Sequence, residues 1–432
     1  MKIAKSLLLA SAAGLMAVSG VQAADLPVAK SAPVEYVRVC SAHGAGFFYI
    51  PGGDSCIKIG GRVRADYTYA QPKGSDVVVG GIVTRRNGRD KDVTGFRARA
   101  RLEVDVRTPT DYGTLRTFLR YQIDHDTGSV SSTSGTKASL DRAYVQWAGI
   151  TAGRTQSFFD FYASDLNWGS GFLSSAGSDT VNNLLAYTAT FGSGFSATIS
   201  VEDRNTRNLN STSYSVAGQR TPDVVGVLRV DQDWGSAQLS GVLHQLNTIA
   251  LTGPFAQRVD TKYGFAVQGG VQVKLPALSA GDKLWLQAAY ADGALNYLGI
   301  GSVSSANFNV TANDGVIANG SIKSTKGWNV TGGLLHYWTP SVRQSVWGSY
   351  TGVNYSHEAK LANLNNTNIR NFDAWAVGSN VVWSPVKAFD IGVEVLYTKA
   401  EKRHFAPAFD FFRKGQKSED SIQGRLRVQR DF

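Results

Sequence analysis

The chain is 432 residues long, 43% apolar and 18% charged, with a formal charge of +10 at neutral pH. Past the amino terminus no stretch offers about 20 uninterrupted apolar residues, which excludes membrane helices. The basic excess raises nucleic acid as a partner, but the chain carries an export signal and that class falls away.

Lys2 and Lys5 precede the apolar run Leu7 to Val18, and Val21-Gln22-Ala23 supplies small residues for cleavage. Residues 1–23 therefore read as a secretory signal peptide, too short and interrupted for a spanning helix. The mature protein is expected to start at Ala24 with a charge of +8, two fewer than the full chain because Lys2 and Lys5 leave. Residues 24–54 form an irregular lead-in with Pro27, Pro33, Pro51 and Cys40, and Cys56 opens the first strand. Two cysteines in an exported chain predict one disulfide, Cys40–Cys56, which contributes on the order of 3 kcal/mol in the chain-entropy picture. A metal site would need further ligands at suitable spacing, and no metal or cofactor is expected.

From residue 55 the chain is a meander. Strand 57–67 puts Ile57, Ile59, Val63, Ala65 and Tyr67 on one face and Lys58, Arg62, Arg64 and Asp66 on the other. The clearest stretch is Phe96 to Arg107. There Phe96, Ala98, Ala100, Leu102, Val104 and Val106 alternate with Arg97, Arg99, Arg101, Glu103, Asp105 and Arg107. Turned to lipid, each arginine would cost about 2–4 kcal/mol near the bilayer midplane, so the charged face must be wet. Strand 115–124 repeats the pattern with Arg116, Arg120, Gln122 and Asp124 on its polar face. Further strands are predicted near 138–148, 150–156, 183–191, 195–203, 223–232, 236–246, 261–275, 283–292, 326–338, 342–356, 371–383, 388–400 and 418–432, making sixteen. Short and long connections alternate. Pro109, Pro276, Pro340 and Pro385 fall in the short ones, Pro72, Pro254 and Pro407 in long loops, and Pro222 at a strand start. Sixteen antiparallel strands with short turns at one rim and long loops at the other predict an all-β transmembrane barrel around water, over 55–432. Aromatic residues near strand ends, among them Tyr67, Tyr69, Trp147, Trp234, Trp338, Trp383 and Tyr397, would form its interfacial girdle. The last strand alternates to a terminal Phe432, similar to the signal read by the barrel-assembly machinery.

The run Tyr36-Val37-Arg38-Val39-Cys40, the segment Gly44 to Gly52 and Cys56-Ile57-Lys58-Ile59-Gly60-Gly61 resemble the amino-terminal signature of the alphaproteobacterial general porins of rhizobia and Brucella. Arg142-Ala143-Tyr144-Val145-Gln146-Trp147 and Gly153 to Asp160 resemble them too. The resemblance spans essentially the mature chain. It implies a homotrimer of sixteen-stranded outer-membrane barrels, bedded in lipid and lipopolysaccharide, that passes small hydrophilic solutes passively. It also implies that the third long loop, 157–182, folds inward as a constriction.

That loop carries Asp160, Asp165 and Asp179 and no lysine or arginine. Facing it, Arg62, Arg64, Arg97, Arg99, Arg101, Arg116 and Arg120 form the predicted basic wall, joined by Arg425 and Arg427 of the last strand. Acids opposite bases would set a transverse field across the pore. The plainer alternative is ordinary wet lumen charges paired with Glu103, Asp105 and Asp66. Which ions the pore prefers stays open at this level, as does a sugar- or anion-specific channel. The loop's Phe158, Phe159, Phe161, Tyr162, Trp168 and Phe172 are expected to pack it against the wall. An enzyme is disfavoured: His43, His125, His244, His336, His357 and His404 are scattered and none lies in a nucleophile motif.

Overall fold

In the computed structural model, the described residues are 38–70, 76–79, 82–85, 92–130, 134–161, 166, 168, 179–209, 214–216, 220–250, 259–300, 303–304, 308–362, 369–403 and 418–432. The expected signal peptide, Asp165, Tyr162, Phe172, Pro72, Pro254, His404 and Pro407 lie outside them. Residues Met1–Val39 and Cys40–Phe432 separate into two units, and of the first only Arg38 and Val39 are described.

The second unit is a closed antiparallel barrel. Its strands are β1 Cys56–Ala70, β2 Thr94–Thr110, β3 Gly113–Asp126, β4 Gly135–Trp147, β5 Ile150–Gln156, β6 Val181–Gly192, β7 Phe195–Glu202 and β8 Asp223–Gln232. The ring continues with β9 Gly235–Leu246, β10 Lys262–Lys274, β11 Lys283–Asp292, β12 Lys326–Thr339, β13 Val342–Asn354, β14 Phe372–Val386, β15 Phe389–Lys402 and β16 Ser418–Asp431. Each pairs with the next, and β16 pairs with β1 to close the ring. All sixteen expected strands are present. Closure leaves no unpaired edge among them, which a membrane wall requires.

The alternation holds on β1–β3. Ile59, Val63, Tyr67, Phe96, Leu102, Leu119 and Tyr121 are exposed on the outer surface, while Arg64, Asp66, Asp105, Gln122 and Asp124 are buried inside. Short reversals follow turn chemistry. At the β4–β5 reversal Ala148 and Gly149 both have positive φ, 49° and 84°, the pairing a type I′ hairpin needs. Pro109 lies at the rim end of β2, and Pro385 sits at the register break between Trp383 and Val386, where no ladder bond is lost. Phe432 exchanges main-chain hydrogen bonds with Gly61, and its ring lies over that glycine on the outer wall.

Cys40 and Cys56 form the disulfide, and Phe47 packs against it. His43 stands within ligand distance of both sulfurs, but the bond between them leaves no thiolate to bind a metal.

The main hydrophobic core sits inside the barrel. It joins Leu295, Tyr297, Leu298, Phe308, Val310 and Val316 of the sixth long loop (293–325) to Phe159 of the third. Against them lie Tyr355 and Ile369 of the seventh loop and the inner faces of β8–β11 and β13–β15, including Val225, Val242, Ala266, Ala291, Val353, Ala374 and Ala400. This part of the wall therefore carries apolar residues on its inner face too, among polar ones such as Gln238, Gln268 and Asn380, and folded-in loops cover them.

Candidate functional site

The third long loop leaves β5 and is fixed at its base by converging hydrogen bonds. Ser157 N donates to Thr180 O at 2.9 Å, Phe158 N to Glu202 Oε1 at 3.1 Å, and Thr180 N to Asp160 Oδ2 at 3.0 Å. Gln238 and Gln268 side chains, from β9 and β10, donate to the carbonyls of Phe158 and Phe159. Asp160 takes an Arg207 Nη2 hydrogen bond at 2.6 Å, with both side chains fully buried.

Beyond its base, the described loop residues Phe161, Leu166 and Trp168 each lie against an inward-facing glycine. A Cβ on Gly270 of β10 would lie 2.4 Å from the Phe161 ring, one on Gly333 of β12 would lie 2.4 Å from Leu166, and one on Gly392 of β15 would lie 2.6 Å from Trp168. Glycine in a strand interior forgoes side-chain packing, and here it admits another segment at backbone range. Leu166 and Trp168 are tied to β14–β16. Asn380 donates to Leu166 O, Trp168 N donates to Glu394 at 2.6 Å, and Arg425 donates to Trp168 O at 2.6 Å. The Arg427 guanidinium stacks 4.5 Å from the Trp168 ring. Phe159, Phe161 and Trp168 thus pack the loop onto the wall.

A void of about 1130 Å³ remains beside this loop, bounded by the arginine-bearing wall of β1–β4 and β16 and by residues of β5–β9, β13 and β15. It is lined by Arg62, Arg64, Arg97, Arg99, Arg101, Arg120, Arg425 and Arg427 among the expected basic residues, together with Asp160 and Asp179. Arg116 does not line it; it shares Asp105 with Arg107, each Nη2 3.0 Å from Oδ2. The wall charges are heavily paired. Arg62 bonds Asp431 at 2.5 Å, Arg97 bonds Asp126 at 2.6 and 2.7 Å, and Arg99 bonds Asp124 at 2.5 and 2.7 Å. Arg120 is 2.8 Å from Glu103, and Arg427 bonds Asp66 at 2.7 Å. Of the loop acids, Asp179 meets Arg142 at 3.0 Å and Asp160 is committed to Arg207.

Several of these residues carry no strand-period signal. Arg207 and the sixth loop were not expected at the site, nor was the buried cluster beneath them. There His244 Nδ1 is 2.8 Å from Asp223, the Tyr297 hydroxyl donates to Asp223 at 2.6 Å, and Arg204 donates to Gln245 O. Asp314 accepts from Leu209 N at 2.8 Å and Leu295 N at 2.6 Å, tying the fourth loop to the sixth, and burial pushes its carboxyl up to about 6. Apolar residues on both faces of Val224-Val225-Gly226-Val227-Leu228 and glycines inside β10, β12 and β15 were the available signs.

A closed sixteen-stranded barrel with an apolar outer surface and a charged, loop-narrowed lumen defines the outer-membrane porin class. The family model described as "Porin subfamily" matches residues 25–425, and the chain belongs to that family. Porin Omp2b of Brucella suis biovar 1 is 32% identical over 415 residues, covering 91% of this chain and 92% of the relative. Porin Omp2b of Brucella neotomae is 36% identical over 307 residues, 67% of this chain and 74% of the relative. The outer membrane channel DcaP of Acinetobacter baumannii has the same fold, with a TM-score of 0.67 at 19% identity over 89% of this chain and 99% of that one. The protein is a general diffusion porin of the bacterial outer membrane and a channel rather than an enzyme.

Proposed function

We propose that solutes cross at the gap between the third loop and the arginine wall, and that this gap favours anions. The observation that carries the reading is the mismatch of charge around the void. Eleven arginines line it against four aspartates, and one of those, Asp160, is buried in an ion pair. Asp66, Asp124, Asp126, Glu103, Asp141 and Asp231 neutralise much of the wall from outside the lining, and the arginines still outnumber the acids that pair with them. The guanidinium excess in a narrow aqueous space raises the local anion concentration. The expected transverse field thus lacks the contribution of Asp160. The test is the reversal potential of purified protein in a planar bilayer under a potassium chloride gradient. A sign reporting chloride permeating faster than potassium supports the reading, and potassium preference overturns it.

The same reading includes a homotrimer. Besides the family resemblance, β5 supports it, being the shortest barrel strand at seven residues. A lipid-facing strand needs about 9–11 residues to span, so a neighbouring barrel would cover this low stretch of wall. Lipid and lipopolysaccharide around the remaining girdle, and recognition of Phe432 by the assembly machinery, belong to the same proposal.

A further inference from the structure

The wall between β1 and β2 places like charges directly opposite one another. In the ladder Arg62 faces Arg101 and Arg64 faces Arg99, all on the lumen side. Opposed like charges weaken an antiparallel pair, so something must compensate them. Two of the four are compensated in full, Arg62 by Asp431 and Arg99 by Asp124. The diagonal pair, Arg64 and Arg101, is not. Arg64 Nε is 3.4 Å from Asp66 Oδ2, but Asp66 is already held by Arg427 at 2.7 and 3.2 Å. Arg101 donates to the neutral Gln122 at 2.9 Å, and its nearest carboxylate, Asp141, is 3.8 Å away and lies 3.5 Å from Arg120. The Nε atoms of Arg64 and Arg101 are buried with no acceptor in hydrogen-bonding geometry among the described residues.

We infer that Arg64 and Arg101 form a transit binding site for a compact, doubly charged oxyanion such as hydrogen phosphate or sulfate. The inference deepens the anion-preferring reading above and rests on it. Diagonal neighbours on one face of a sheet stand about 7–8 Å apart at their backbones, within reach of long side chains converging on one ligand. Planar guanidinium forks match oxyanion geometry, and two positive charges without carboxylates of their own match a charge of −2. The site opens onto the void, so the ligand exchanges along the channel instead of being trapped.

The experiment is chloride current through the wild-type porin in a bilayer, at a pH where inorganic phosphate is doubly charged, with phosphate added at constant ionic strength. Saturable reduction of the current is expected, and sulfate should act likewise. Arg64→Gln and Arg101→Gln, made separately so that a folding failure in one leaves the other, should each raise the half-blocking phosphate concentration about three- to tenfold. Arg107→Gln, outside the void, should leave it unchanged. Phosphate acting no differently from gluconate, or block that survives both substitutions, overturns the site. A chloride-preferring channel without phosphate block overturns only this inference, whereas potassium preference overturns the anion reading beneath it.

Discussion

Asp160 and Arg207 form a salt bridge of 2.6 Å in which neither side chain is exposed to solvent. It joins the third loop to the fourth, and Arg207 also stacks 4.7 Å from the Tyr297 ring of the sixth. An acid that would serve the pore field if solvated instead holds three loops together. Removing one partner of a buried pair leaves the other uncompensated, typically costing about 3–5 kcal/mol, whereas replacing both by apolar groups is often neutral. We therefore expect Asp160→Asn to unseat the base of the third loop and raise open-channel noise and protease cleavage there. Asp160→Leu combined with Arg207→Met should restore quiet currents. If the single substitution is silent in both measurements, the pair does not anchor the loop.

The far course of the loop depends on shape more than charge. Gly270 lets the Phe161 ring approach so closely that the three atoms nearest a Cβ there would all belong to that ring, at 2.4 to 3.1 Å. Gly270→Val should therefore displace the loop without disturbing the β-ladder. A displaced loop widens one part of the lumen and narrows another, so the change should read as altered single-channel conductance and an altered size limit in liposome swelling with graded sugars. Heat-modifiable mobility of the folded barrel should stay unchanged. Unaltered conductance from a folded variant would show that the ring has another place to go.

The barrel was legible because each strand on β1–β3 solves one local problem, lipid on one side and water on the other, and the residues record the solution every second position. Arg97, Arg99 and Arg101 could be assigned to the lumen face from spacing alone. What spacing cannot convey is which lumen charges remain free for solute. Arg99 and Arg101 are alike in sequence pattern, yet one is forked onto Asp124 and the other rests on Gln122. Cross-strand register decides that, and register depends on turns and bulges such as the one between Arg120 and Tyr121. The second half of the wall was less legible still. Val225, Ala266 and Ala374 break the wet-inside rule because loops from distant parts of the chain cover them. A single strand reports that its inner face is dry without reporting what dries it.

Asp314 makes the sixth loop sensitive to pH. Burial raises its carboxyl from the usual 3.8 to about 6 in the closed loop, and opening returns it to water. The closed form then binds the proton more tightly, so protonation favours closure. That contribution is fully present below the ordinary carboxyl range, is lost as pH rises toward and through about 6, and stays flat above. His244, with Nε2 3.7 Å away, and Asp223 behind it are the ionisable groups facing it from the wall, with Arg204 nearby on the fourth loop. One unit of pKa difference corresponds to about 1.4 kcal/mol, so the Leu295 amide, which donates to Asp314, should open about tenfold more often at pH 7 than at pH 5. Hydrogen exchange, corrected for intrinsic rates, reads this directly. In Asp314→Asn the loop should open more readily at both pH values, because one amide loses its acceptor, but the pH difference should shrink. Equal pH dependence in variant and wild type would remove Asp314 as the proton-sensing group of the loop.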